Sequence, residues 1–370
     1  MKRTVKTLLP LLFCVLFVCS PCAPAQAPAA PSQAPAAPEQ TQAAAPAAPA
    51  DPAPAELPSI GMTVYSYANT YTSFIRKGIV NYIEDNKLAD IQVSDAENDA
   101  AKQIEQIDAY IAQGVDALLV MPVDPASAVT MVDKAKAASI PLIFINKRPS
   151  TDILMSYDKT IFVGLPLVVS GEMQGQMVVD HWKNGTIKDR NGDGVMQYCT
   201  VTGDVGHVDA EARVQGNLNV FQKSGIEYEE LDRQVANWDT TKAKEVSEIW
   251  VGKWPNDLDI IISNNDAMAL GVLETIKQTG VDIPVVGINC LPQVHDMIFR
   301  GEYFGSVLSD PWKQAKAAVD LALNAINGKD WFDGNEWEAD YDGEGSVRIT
   351  DVQITAENLN LAVEAYVNCN

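Results

Sequence analysis

Ile60-Gly61-Met62-Thr63-Val64-Tyr65 opens the stretch that decides the fold. It reads as a strand, and a helix follows over 71–85 with Phe74, Ile75, Ile79, Tyr82 and Ile83 on one face. Strand 91–94 comes next, then a helix over 100–113 that turns Ile104, Ile107 and Ile111 inward and stops at Gly114. Strand 117–121, helix 125–138 and strand 141–145 continue the series. Repeated strand–helix alternation means a parallel sheet covered on both faces. A second series begins near Leu167, with strands at 197–201, 260–263 and 285–288 and helices near 210–223, 240–251, 267–278 and 293–300. Two such series mean two α/β lobes. A last strand and helix, near 305–308 and 314–327, indicate a return of the chain from one lobe to the other.

Working outward, the residues before this region set the compartment. Lys2, Arg3 and Lys6 precede an apolar run over 8–19, and Ala23-Pro24-Ala25 supplies small residues for cleavage. That order predicts a secretory signal peptide at 1–25, because the run falls short of the ~20 apolar residues of a membrane-spanning helix. Residues 26–58 are almost wholly Ala and Pro, an extended spacer at ~3.1 Å per residue. The spacer reads either as a tether or as an idle tail. Lipidation at Cys19 or Cys22 is the lesser option, since neither follows a small residue. Cys199, Cys290 and Cys369 make neither a disulfide framework nor a zinc pattern. The formal charge of −22 repels nucleic-acid phosphates and anionic lipid, so neither is expected as a partner.

Open parallel sheets bind ligands beyond the carboxyl ends of their strands. Residues placed there are Asn69 and Tyr71, Asn146, His207 with Asp209 and Arg213, Trp238, Asn265, Asn289 and Ser309. Any one of them reads equally as a turn former or helix cap. Together they offer paired donors and acceptors for adjacent hydroxyls, and two flat aromatic faces for a pyranose. No nucleophile elbow, phosphate loop, metalloprotease helix or dinucleotide fingerprint is present. Binding without catalysis is the expectation.

Asp189-Arg190-Asn191-Gly192-Asp193-Gly194-Val195-Met196-Gln197 carries oxygen side chains at positions 1, 3 and 5 and Gly at 6, as calcium loops begin. Position 12 is Thr200, so any bidentate acid must come from elsewhere, and an ordinary Asx-Gly turn is the other reading.

The chain resembles the bacterial periplasmic galactose/glucose-binding proteins, of the type I periplasmic binding protein family. The resemblance runs from Ser59 to the end, through Asn146-Lys147, the Gly206–Arg213 segment Gly-His-Val-Asp-Ala-Glu-Ala-Arg, Asn237-Trp238-Asp239-Thr240 and Asn264-Asn265-Asp266-Ala267-Met268-Ala269. It implies two doubly wound parallel-sheet lobes joined by a three-segment hinge. The first lobe is expected over 59–165 plus 309–346, and the second over 166–308 plus 347–370. The hinge passages would lie near 164–167, 308–312 and 343–347. It further implies a hexose held between Tyr71 and Trp238 and bonded by Asn146, His207, Asp209, Arg213 and Asn265. The implied partners are an ABC transporter permease and a chemoreceptor, with the protein a monomer in the periplasm. A structural calcium ion is implied on Asp189, Asn191, Asp193, Val195 and Gln197, with Asp259 where the family has Glu. Three positions depart from the family inside the sugar site: Asn69 and Asn289 replace Asp, and Ser309 replaces Asn. These leave a pentose, polyol, glycoside or signalling furanose open as the ligand.

Overall fold

A computed structural model of the chain describes residues 56–165, 168–339 and 345–370. The expected signal peptide and nearly all of the expected spacer therefore lie outside the described residues. In the first series β1 (Ser59–Val64), α1 (Thr70–Asn86), β2 (Asp90–Asp95), α2 (Ala100–Gln113), β3 (Ala117–Met121), α3 (Ala128–Ala138), β4 (Leu142–Ile145), the short α4 (Thr151–Leu154) and β5 (Thr160–Gly164) follow one another. The helices start where capping chemistry directs. The Asn69 side chain accepts from Thr72 N, and Asp99 accepts from Ala101 N and Lys102 N. Gly114, at φ 79°, closes α2 in the left-handed conformation that suits glycine.

The second series runs α5 (Val169–Lys183), β6 (Val195–Thr202), α6 (Val208–Ser224), β7 (Glu227–Val235), α7 (Thr240–Lys253), β8 (Ile260–Ser263), α8 (Asp266–Thr279), β9 (Val285–Asn289), α9 (Pro292–Phe299) and β10 (Ser306–Leu308). After it come α10 (Pro311–Ile326), β11 (Ser346–Arg348), β12 (Val352–Ile354) and α11 (Asn360–Val367). The elements build two six-stranded sheets, ordered β11-β5-β4-β3-β1-β2 and β12-β10-β9-β8-β6-β7. Every pairing is parallel except β10 with β12. The central strands are apolar throughout, as burial on both faces requires: β3 is Ala-Leu-Leu-Val-Met, buried at all five positions.

The chain crosses three times between the sheets. After β10 of the second sheet, α10 packs on α1 and on the first sheet. The third passage was expected over 343–347, but β11 at 346–348 pairs in parallel with β5, so Val347 and Arg348 belong to the first sheet. The passage falls instead at Ile349, Thr350 and Asp351. The end of the chain also departs from the expected second lobe. α11 lies against both α9 and α10. Tyr366 there stacks edge-on against Phe74 of α1 at 4.8 Å and donates its hydroxyl to Asn289 O at 2.8 Å. β5, α5 and the acidic edge strand β7 were not anticipated from the sequence pattern.

Candidate functional site: a polar cavity between the lobes

Each strand end delivers its residue by a local device. Asn146 follows β4 at φ 71°, and Asn237 and Trp238 follow β7 at φ 51° and 60°. Side chains with a Cβ avoid this region, and a tryptophan there is held only by its surroundings. Trp238 Nε1 donates to Asp204 Oδ2 at 3.1 Å. Its ring lies against Gly203, where a Cβ would collide with the indole. Asn289 stands at φ 105° and Cys290 at 52°. That turn is pinned by the buried Asp266, whose carboxylate accepts from Leu291 N (2.9 Å), Tyr303 OH (2.7 Å) and Ser306 Oγ (2.9 Å). Burial pushes the Asp266 carboxyl up to about 7 against these bonds.

Nine of the ten expected ligand residues line one cavity, together with Tyr65 and Thr72. The nine are Asn69, Tyr71, Asn146, His207, Asp209, Arg213, Trp238, Asn265 and Asn289. They come from both lobes. Ser309 is the exception: it is fully buried and off the cavity wall, and its carbonyl accepts the Tyr71 hydroxyl at 3.0 Å. The same hydroxyl receives Gln314 Nε2, so Tyr71 turns its ring, not its oxygen, to the cavity. Asn69 and Asn265 satisfy both readings at once. Each caps a helix through Oδ1, to Thr72 N and Met268 N, and each also lines the wall.

The charged and aromatic members are held by backbone and ring contacts. Arg213 donates to Asn264 O at 2.7 Å and lies 5.8 Å from the Trp238 ring centre. His207 stacks edge-on to Trp238 at 5.2 Å. Burial, then the charges of Lys147 and Arg213, hold His207 at about 3, so the ring is neutral. Lys147 sits over the Tyr65 ring at 4.2 Å and donates to Val123 O.

Buried polar atoms in folded proteins almost always find a partner. Around this cavity they do not. Arg213 Nε, His207 Nδ1, Asn264 Nδ2, Asn289 Nδ2 and Ser309 Oγ are buried without a hydrogen bond. On the wall itself, one Asn amide, one guanidinium N–H and one imidazole nitrogen form a hydrogen-bonding set for a neutral polyhydroxylated molecule.

The Asp189–Gln197 loop is built differently. Asp189 accepts from Gly192 N and Gly194 N at 2.7 and 2.8 Å. Asp193 Oδ2 receives both amides, Asn191 Nδ2 at 3.1 Å and Gln197 Nε2 at 2.8 Å. Asp259 is fully buried, and its two oxygens accept Arg190 N and Gln197 N. It thus ties the loop's entry to its exit, and burial raises its carboxyl to about 6. Among the described residues, no three His, Cys, Asp or Glu side chains gather closely enough to hold a metal. A cation here would depend on neutral oxygens as well. The Val195 carbonyl is one, and the buried, unpartnered Oε1 of Gln197 is another.

Sequence reasoning missed four supports of the site. Asp204 orients Trp238 and Gln314 holds Tyr71, while Tyr65 and Thr72 complete the wall. Asp204 follows directly on the Thr202-Gly203 strand end and was open to the same reading. Gln314 lies 243 residues from Tyr71 and gave no local signal.

Two doubly wound lobes enclosing one polar cavity define a type I periplasmic binding protein. A family model described as the periplasmic binding protein domain matches residues 60–330, and the chain belongs to that family, whose members bind solutes. It is 36% identical to the D-galactose/methyl-galactoside binding periplasmic protein MglB of Haemophilus influenzae, over 81% of this chain and 90% of the relative. A xylitol-binding protein of Mycolicibacterium smegmatis is 27% identical over 73% of each chain. Among solved structures, an ABC transporter solute binding protein from Bacillus halodurans with bound myo-inositol superposes with a TM-score of 0.70 at 24% identity, covering 84% of this chain and 99% of that one. Among the described residues, no helix is long and apolar enough to cross a membrane.

Proposed function

We propose that this protein is the extracytoplasmic binding subunit of a sugar ABC importer and captures a galactose- or glucose-like hexose by closing its two lobes. The observation that carries the reading is the set of buried, unpaired polar atoms of Arg213, His207 and Asn289 on one cavity wall that also carries Tyr71 and Trp238. A pyranose would lie between Tyr71 and Trp238. Its hydroxyls would engage Asn146, His207, Asp209, Arg213 and Asn265, with Asn69 and Asn289 at the rim of the ring and Ser309 behind it. The similarity to the galactoside-binding relative supports the hexose. Hinge closure at the three crossings would present the loaded form to the permease. Binding without chemistry, a periplasmic location, a spacer acting as tether, and delivery to a chemoreceptor belong to the same reading.

A second ligand class has its own support. A neighbouring cavity of about 580 Å³ shares His207 and Asp209 with the first and is lined by Lys147, Arg148 and Asp204. It would take the substituent of a glycoside. The similarity to a xylitol-binding relative likewise keeps a polyol in view.

A calcium ion on Asp189, Asn191, Asp193, the Val195 carbonyl and Gln197, with Asp259 as the distant acid, completes the proposal. Its role would be to hold the entry to β6 in place, and no step of sugar binding passes through it. Turning over the Asn191 and Gln197 amides replaces two donors by two acceptors beside Asp193, which suits a cation.

A thermal-shift screen of the full chain against hexoses, pentoses, polyols and glycosides tests the ligand. Stabilisation by D-galactose or D-glucose is expected. Stabilisation only by another class would replace the hexose, and none by any would remove the sugar reading.

A further inference from the structure

Asp351 is 1% exposed, and the Ser170 and Ser309 hydroxyls lie close enough to favour its charge without completing a well-formed hydrogen bond to either oxygen. A buried, unpaired carboxylate is costly to keep, so its surroundings matter. It lies on the third passage between the lobes, two residues after Ile349, whose N–H donates to Gly164 O at the start of the first passage. Two hydroxyls face it. Ser170 stands just beyond the first passage, and Ser309 is on the second. One carboxylate therefore meets a residue from, or next to, each of the other two hinge strands. Its field also reaches Arg213 and Asp209 of α6 and Tyr71 of α1, all on the cavity wall. Glu172 of α5 and Lys223 of α6 lie with it along an outer groove.

We propose that Asp351 is a positioning residue of the binding site, joining the three hinge passages to Arg213 and fixing that guanidinium toward the bound ligand. The proposal rests on the sugar-binding reading. Its physical basis is directional. When Ser170 and Ser309 donate to Asp351, the carboxylate is held in one orientation beside Arg213. Arg213, whose Nη1 donates to Asn264 O, gains a counter-charge. Both effects require the ionised carboxylate. Burial holds that carboxyl at about 7 without ligand, with Arg213 and the two serines opposing. A ligand that completes the hydrogen bonds lowers it. Affinity is then fully developed above that pH and lost as pH falls through it.

The test is calorimetric titration of the full chain with D-galactose and D-glucose from about pH 5.5 to about pH 8. Affinity should be about fivefold to tenfold higher at the upper end, which corresponds to a ligand-induced shift approaching one unit. Asp351→Asn keeps the shape and removes the charge. It should bind about tenfold more weakly at the upper pH and show no slope. Ser309→Ala, which removes only the hydroxyl, should lose more affinity at the upper pH than at the lower, and it serves if the Asn variant does not fold. Asp266 is the other buried acid raised to about 7 near the cavity. A slope that survives in Asp351→Asn and vanishes in Asp266→Asn overturns the proposal. So does an equal loss at both pH values, which is a packing effect. Sugar binding with no slope in the unaltered protein sinks only the role of Asp351, whereas absence of binding to any sugar removes the reading beneath it as well.

Discussion

The interlobe cavity and the Asp189–Gln197 loop are both clusters of Asp, Asn and Gln, yet they settle their hydrogen bonds in opposite ways. In the loop, Asp189 and Asp193 accept from nearby backbone and amide N–H groups, and Asp259 is saturated by Arg190 N and Gln197 N. Gln197 Oε1 and Arg190 Nε are left over. On the cavity wall, buried atoms of Arg213, His207 and Asn289 have no partner, and Asn264 Nδ2 and Ser309 Oγ, off the wall, have none either. An unpaired buried group costs about 1–3 kcal/mol, so a stable protein keeps several together only where something else supplies the partner. The loop folds around itself, and the cavity is built for a guest.

The largest effect that would break this contrast is at Trp238. Trp238→Ala removes one aromatic face and the Asp204 contact, and it should cost about 2–3 kcal/mol of sugar affinity, read by calorimetry as roughly a 30- to 150-fold loss. Gly203→Ala acts on the same ring indirectly. The added Cβ would meet the indole, so sugar-dependent stabilisation should weaken by about tenfold in ligand concentration while the far-ultraviolet circular dichroism stays unchanged.

A third prediction concerns pH. Asp266 and Asp351 are raised to about 7 and Asp259 to about 6, each first by burial. Acids raised in the folded state bind more protons there than when unfolded, so their contribution is present at low pH and is lost as pH rises toward 7. The ligand-free protein should melt about 2–4 °C higher near pH 5 than near pH 8, and Asp266→Asn should reduce that difference. An opposite slope would mean that these acids are not buried as described. The smallest effect belongs to the loop. Asp193→Ala, which also loses the bonds from Val195 N, Asn191 and Gln197, should lower the melting temperature by a few degrees more in calcium than in chelator, with sugar affinity unchanged. Equal loss in both buffers would leave the loop as a turn without a metal.

Much of this was legible in the sequence, for reasons that are local. Strand–helix alternation marks the lobes, and the residue after an apolar run marks the cavity wall, which is how Asn146, Asp209 and Arg213 were found. What stayed hidden depends on distance along the chain or on backbone twist. Tyr71 and Ser309 meet across 238 residues. Asp351 lies in a passage whose position moved by a few residues once β11 took its place beside β5. Trp238 reaches the cavity because two successive residues are left-handed, which no propensity announces. The acidic β7, Glu-Tyr-Glu-Glu-Leu-Asp-Arg-Gln-Val, hides a strand because its charges suit an exposed edge.

The most direct test of a cavity built for a sugar is calorimetric titration of the full chain with D-galactose and D-glucose, beside Trp238→Ala and Asp193→Ala. Saturable binding of one sugar per chain, nearly lost in the first variant and kept in the second, is the predicted result. Undiminished binding in Trp238→Ala, or no binding to the unaltered protein, would contradict it.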